Sequence, residues 1–256
     1  MNDKEYSEMP GIRRSDLWYM NKTPMHFKYR MDNDDEKPTP AMIFGQVAHK
    51  YILEPETYFD EYATVPNVDR RTKAGKEMFD AFKAEHANRE WVDQDDFDTI
   101  FQMSLALNRH PEISEILNGD KRTEVPFCWT DDETGEVCKC KADILTHIDG
   151  KPYIIDYKTT DSCEDGHFER TARKFGYAFQ TGFYTEGIDK CTFEKHGFIF
   201  IAQEKKAPYA ARIYVCDDGF INQGKRQFHA LLRQYHECKL NNEWNGYYSE
   251  TLYGEE

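Results

Sequence analysis

Three residues carry the first chemical signal in this chain. Asp143 closes the run Lys141-Ala142-Asp143, and thirteen positions later stands Asp156-Tyr157-Lys158. On a strand, Asp156 and Lys158 point to one face, roughly 6–7 Å apart. Two carboxylates can hold a hard divalent cation, and a neighbouring ammonium can order a water or steady a developing anion. Those parts suit hydrolysis of a phosphodiester. The bland alternative is a salt-bridged pair on the solvent face of a hairpin, because Asp149-Gly150 is a strong hairpin turn. Two observations weigh against it. The spacing can bring Asp143 near Asp156 across that turn. Asp156 also ends the apolar run Tyr153-Ile154-Ile155, where an unpaired acid would be costly.

The elements that must position these groups follow from periodicity and breakers. Ser15 can cap a short helix through Met20, with Pro24 just beyond it. Pro40 opens a helix carrying Phe44, Val47, Ala48, Tyr51 and Ile52 at helical spacing, and Pro55 ends it. Further helices are expected from Thr72 to Ala87, from Asp96 to Asn108 and from Pro111 to Leu117. The texture then alternates. Thr123–Thr130, Val137–Thr146 and Pro152–Thr160 read as a three-stranded meander. One crossover helix from Phe168 to Glu186 follows, with Gly187 as its C-cap. Strands Glu194–Ile201 and Tyr209–Val215 and a last helix from Asp218 to Lys239 complete the pattern. This order predicts an α/β fold of α+β layering, with helices leading into a sheet. No internal repeat or long linker divides the 256 residues, so a single domain is expected: 1–120 mainly helical, 121–256 the sheet and its helices.

Composition narrows the function classes. Charged residues make up 31% and mean hydropathy is −0.84, with no apolar run long enough to span a membrane. The start, Met1-Asn2-Asp3-Lys4-Glu5-Tyr6, lacks a basic-then-apolar leader, so a cytoplasmic protein with no membrane partner is expected. A net charge of −14 argues against a polycation that coats DNA, but an acidic nuclease can concentrate its basic residues locally. Seven cysteines suit free thiols in a reducing compartment. The acidic run Asp32-Asn33-Asp34-Asp35-Glu36, followed by Pro38 and Pro40, reads as a loop.

Other positions join the acids. His49 lies four residues after Gly45 on the Pro40 helix and would add a nitrogen ligand, admitting manganese as well as magnesium. Gln180 and Tyr184 share a face of the crossover helix with Tyr177, where an amide and a phenol could bond a phosphate or a base. Core packing is the plain reading of both, with Phe179 and Phe183 forming the buried side.

The order His49, Glu124, Asp143, Asp156-x-Lys158, Gln180-x-x-x-Tyr184 resembles the RecB-like branch of the PD-(D/E)XK nucleases. More closely, the chain resembles the C-terminal exonuclease domain of RecE, exodeoxyribonuclease VIII, and its phage and prophage relatives. Phe44-Gly45-Gln46-Val47-Ala48-His49 with Leu53-Glu54-Pro55, the segment Arg70-Arg71-Thr72-Lys73-Ala74-Gly75-Lys76-Glu77, and Asn242-Glu243-Trp244-Asn245-Gly246 are similar to segments of that family in the same order. The likeness implies a PD-(D/E)XK core, a central mixed sheet flanked by helices. It implies that His49, Asp143, Asp156 and the carbonyl of Tyr157 bind Mg2+ or Mn2+. Lys158 would then activate water, with Glu124 among the catalytic acids. Gln180, Tyr184 and Tyr177 would hold DNA, and Arg70, Arg71 and Lys73 would contact its backbone.

The family's activity is 5′-to-3′ digestion of linear double-stranded DNA, leaving a 3′ single strand for a RecT-type annealing protein. Relatives form ring-shaped homo-oligomers, a tetramer among them. Lys141 departs from the pattern, since relatives often carry arginine there, and whatever the long N-terminal region of the largest relatives does is not expected of this chain. Some RecB-like nucleases hold an iron–sulfur cluster. None is expected here, because no late Cys-x-x-Cys group accompanies Cys128, Cys138, Cys140 and Cys163. A structure-specific or restriction-type endonuclease, a non-catalytic DNA-end-binding module and a hydrolase of small phosphate esters remain as alternatives.

Overall fold

The computed structural model describes residues 3–33 and 37–249. Residues 34–36 of the expected acidic loop lie outside that range. The chain opens with helix α1 (Asp3–Glu8), strand β1 (Ile12–Arg13), helix α2 (Arg14–Leu17), a 3-10 turn over Trp18–Asn21, and α3 (Pro24–Asp32). Helix α4 (Pro40–Leu53) starts as its sequence dictates. Thr39 accepts the amide of Met42, and Pro40 fills the first turn, where no N–H is needed. Lys50 then bridges Glu54 at 2.9 Å and Glu61 at 2.6 Å, which fixes the corner between α4 and α5 (Pro55–Glu61).

A small parallel pair follows, β2 (Tyr62–Thr64) with β3 (Glu90–Val92), joined through α6 (Lys73–Glu85). Helices α7 (Gln94–Arg109) and α8 (Pro111–Asn118) lead into the main sheet. Its meander is β4 (Lys121–Thr130), β5 (Val137–Ile148) and β6 (Lys151–Thr160). Helices α9 (His167–Phe175) and α10 (Tyr177–Thr192) cross over to β7 (Gly197–Glu204), which runs parallel to β6. Strand β8 (Ala211–Cys216) pairs antiparallel with β7, and α11 (Asp218–Asn241) closes the fold.

The result is an α/β architecture with a mixed sheet between helical layers. Facing α10 and α11, the sheet offers Ile154, Phe198 and Phe200 to Phe179, Phe183, Phe228 and Leu232. On the other face Ile144, Ile155, Ile199 and Ile201 pack with Leu53 of α4, Leu107 of α7 and Ile113 of α8. The two covering helices touch backbone to backbone: a Cβ added to Gly224 of α11 would lie 1.7 Å from the carbonyl oxygen of Ala178 in α10.

Several expectations are corrected. The crossover is two helices, because the chain breaks at Gly176, whose φ of 67° is the left-handed conformation that favours glycine. Gly187 is no cap. It lies inside α10, where a Cβ would come within 2.4 Å of the Trp129 ring, and α10 runs on to Thr192. Strand β7 therefore begins at Gly197 rather than Glu194. The glycine signal was real at both positions, but turn chemistry and close packing leave the same letter in a sequence. Elements α1, α3, α5, β1, β2 and β3 were not anticipated, several being too short to show a period.

Candidate metal centre and active site

The site is built where the sheet comes apart. Pairing of β5 with β6 runs from Ile148 opposite Lys151 to Ile144 opposite Ile155 and stops there, one rung short of Asp143 and Asp156. Asp143 itself occupies the gap, accepting the backbone N–H of Tyr157 on its Oδ2 at 2.9 Å. Beyond the split, the edge of β5 is taken over by β1, with Ile12 and Arg13 beside Cys138 and Lys139. On the opposite edge, Thr123–Ile144 and Val125–Ala142 flank Glu124, which faces Asp143 with φ 51°. Glu124, Asp143 and Asp156 thus lie at one level on three neighbouring strands.

Helix α4 supplies the fourth group. His49 Nε2 is 2.9 Å from Asp143 Oδ2, and its Nδ1 is 3.5 Å from Glu124 Oε1. Ligand atoms of His49, Glu124 and Asp143 all lie within 4.8 Å of one another. Gly45 is not essential to this approach, since a methyl there would meet only Thr159 Oγ1, at an ordinary 3.5 Å. Asp156, 2% exposed, forms an ion pair with Lys158 Nζ at 2.5 Å and accepts the Gln180 side-chain N–H. The Lys158 ammonium also lies 5.6 Å from the Tyr177 ring centroid. Lys141 pairs with Glu124.

Charge and burial set the protonation. Burial disfavours a charge on His49, but Asp143, Glu124 and Asp156 outweigh it and raise the imidazole to about 9. Burial followed by repulsion from Asp143 pushes Asp156 up to about 6, even with Lys158 beside it. Burial acts against Asp143 too, yet His49, Lys158 and the Tyr157 N–H hold it below the usual carboxylate range. Glu124 is raised, chiefly by burial. For Lys158, Asp156 and Asp143 overcome burial and lift the ammonium above its ordinary value. Three cations therefore face three acids.

This donor set fits a divalent cation. Oxygens Glu124 Oε1 and Asp156 Oδ2 are buried and lack an aligned hydrogen-bond donor among the described residues. Both oxygens have a cation beside them, Lys158 Nζ for Asp156 Oδ2 and the His49 ring for Glu124 Oε1, yet neither receives a well-aligned hydrogen bond. Buried lone pairs beside an imidazole therefore remain for a metal that takes oxygen and nitrogen ligands.

The structure brings His49, Glu124, Asp143, Asp156, Tyr157, Lys158, Tyr177 and Gln180 together. Gln180 is 4% exposed, with its amide committed to Asp156, and Tyr177 stacks on Phe200 at 5.1 Å. Tyr184 is half-buried, its ring meeting Phe183 and Phe198. Arg70, Arg71 and Lys73 stand apart at the start of α6, on Phe79, Asp69 and Glu77 respectively. All seven cysteines are free of disulfides; Cys138 and Cys140 are buried in the core under α10. Among the described residues no helix is long and apolar enough to cross a membrane. The sequence reading missed Arg14 and Tyr6, which pack beside the site from the N-terminal segment and carry no local motif.

A mixed sheet with helices on both faces, opened at a rung of acids followed by lysine, defines the PD-(D/E)XK class. The chain belongs to the family described as "PDDEXK-like domain of unknown function (DUF3799)", which matches residues 14–253. Among solved structures it is similar to a "Putative exonuclease" from Eubacterium rectale, at 15% identity and TM-score 0.64, covering 95% of this chain and 88% of that one. It also matches SSO0001 at 17% identity over 73% of this chain and 85% of that one, but with a TM-score of 0.32, too distant to add to the fold. No curated protein matches the chain.

Proposed function

We propose that this protein is a metal-dependent nuclease of the RecE type, digesting linear double-stranded DNA 5′ to 3′ and leaving a 3′ single strand. The observation that carries this reading is the opened rung, where three buried acids, an imidazole and a lysine converge. His49, Glu124 and Asp143 would hold Mg2+ or Mn2+, with Asp156 and the Tyr157 carbonyl as further ligands. A cation bound there supplies Lewis acidity to the phosphate and acidifies water. Lys158, fixed between Asp156 and the Tyr177 ring, orders the attacking water. Gln180 orients the Asp156 carboxylate. Tyr184 lines the strand's path, and Arg70, Arg71 and Lys73 contact the DNA backbone further out. The whole chain works as one unit, since His49 and the acids come from its two halves. The cytoplasm of a bacterial host carrying a phage or prophage, a RecT-type annealing partner and a ring-shaped homo-oligomer complete the proposal.

The test is incubation with magnesium and end-labelled linear duplex, 5′-phosphorylated or not, beside covalently closed circular duplex. Mononucleotides released from the 5′ end of the linear DNA, with the circle intact, are expected. Cutting of the circle would make the protein an endonuclease, and binding without magnesium-dependent product would make it a DNA-end-binding module.

A further inference from the structure

We propose that Arg14 is a positioning residue of the active site: it clamps the break between α9 and α10 and so aims Gln180 and Tyr177 at Asp156 and Lys158. The inference rests on the nuclease reading above and deepens it. Arg14 reaches across the fold to residues more than 160 positions away. Its Nη2 donates to the carbonyl of Phe175 and, at 2.9 Å, to that of Gly176. Phe175 ends α9, where a helix C-terminus leaves carbonyls without intrahelical partners, and Gly176 is the junction residue between the two helices.

The break itself is held from the same segment. Gly176 adopts the left-handed conformation, and a Cβ on it would come 2.5 Å from the Trp18 ring. The Arg14 guanidinium lies over both Trp18 and Phe179, 5.8 and 5.9 Å from their centroids. A planar cation set against a packed aromatic pair and donating to adjacent carbonyls is a rigid fixture that a flexible ammonium does not reproduce.

The clamp transmits to the acids in two short steps. Gly176's carbonyl also accepts the backbone N–H of Gln180 at 3.0 Å, so Arg14 and the first turn of α10 share one acceptor. The Gln180 side chain then donates to Asp156, and Tyr177, next after Gly176, sets its ring under Lys158. Arg14 Nε is buried without a hydrogen-bond partner, which costs stability. Nη2 is committed to two backbone carbonyls and Nε is buried, which fits a fixture rather than a substrate contact. Burial lowers the guanidinium's pKa, while Tyr184, Asp156 and Tyr177 sustain its charge.

The experiment compares the full-length protein with Arg14→Gln and Arg14→Lys. It measures kcat and KM for magnesium-dependent hydrolysis of linear duplex, the melting temperature, and hydrogen exchange of the peptide spanning residues 176–181. In Arg14→Gln, kcat should fall at least about tenfold with KM little changed, as for misplaced catalytic groups. The peptide should exchange faster while the melt stays in place. Arg14→Lys should recover part of both, because a point charge can satisfy one carbonyl but not the fork. Wild-type kcat or unchanged exchange in Arg14→Gln overturns the proposal. If that variant fails to fold, Arg14→Lys decides by the same two readouts. If the wild-type protein hydrolyses no DNA, the nuclease reading fails, and exchange at 176–181 still tests the clamp by itself.

Discussion

Metal binding at this centre should expel a proton, and His49 should be its source. The imidazole is held protonated to about 9 by Asp143, Glu124 and Asp156. Only neutral imidazole can ligate. At pH 7 the ring is therefore mostly charged, and binding is opposed by roughly 3 kcal/mol, at about 1.4 kcal/mol per unit. Apparent affinity should therefore rise about tenfold per pH unit through neutrality and level off near 9. Asp156, at about 6, adds only about a tenth of a proton at pH 7. The same raised pKa has a stability consequence of fixed sign. His49's ion pairing stabilises the metal-free protein fully below its ordinary value of 6.5, and that contribution is lost as pH rises through about 9. Calorimetric titration with Mn2+ at several pH values between about 6.5 and 8, each in two buffers of different ionisation enthalpy, measures both slope and proton count. About one proton released at pH 7, falling to near zero in His49→Asn, is expected. A flat affinity with buffer-independent heat would refute the reasoning.

Three further outcomes follow from the packing. Gly224→Ala places a Cβ 1.7 Å from a backbone oxygen that cannot rotate away. Prising α10 from α11 should cost about 3 kcal/mol, a melting-temperature loss of about 6–12 °C; an unchanged melt would contradict the close approach. Gln180→Ala strips the donor from Asp156 Oδ1 and should cost about 1–3 kcal/mol along with slower hydrolysis, read by denaturant unfolding and initial rates. Burial would raise Glu136, but Lys239 and His236 outweigh it and hold its carboxyl below the ordinary 4.5. Its contribution is present above that pH and lost as pH falls through the depressed value, so acid unfolding of Glu136→Gln should begin from a lower baseline but depend less on pH.

How much of this was legible depended on range along the chain. Asp143, Asp156 and Lys158 could be read because a two-residue period and one hairpin turn relate them locally. The meander and the Pro40 helix had clear punctuation, and their bounds differ from expectation by a few residues at most. The opened rung was not legible, because it arises when one side chain, Asp143, takes the N–H of Tyr157 that the ladder would have used. Pairing of His49 with Glu124 depends on how α4 docks on the sheet, which no local pattern encodes. Arg14 was invisible for the same reason: its partners lie at the far end of the fold. The pair β2 and β3, three residues each, offers too little alternation to detect.

The central claim is that the acids and lysine at the opened rung hydrolyse phosphodiester bonds with a divalent metal. The most direct measurement is release of acid-soluble label from uniformly labelled linear duplex, with and without magnesium, by the wild-type protein and by folded Asp156→Asn and Lys158→Ala. The account predicts magnesium-dependent release by the wild-type protein and none by either variant. Undiminished release by both variants, or release by the wild-type protein with the metal chelated, would contradict it.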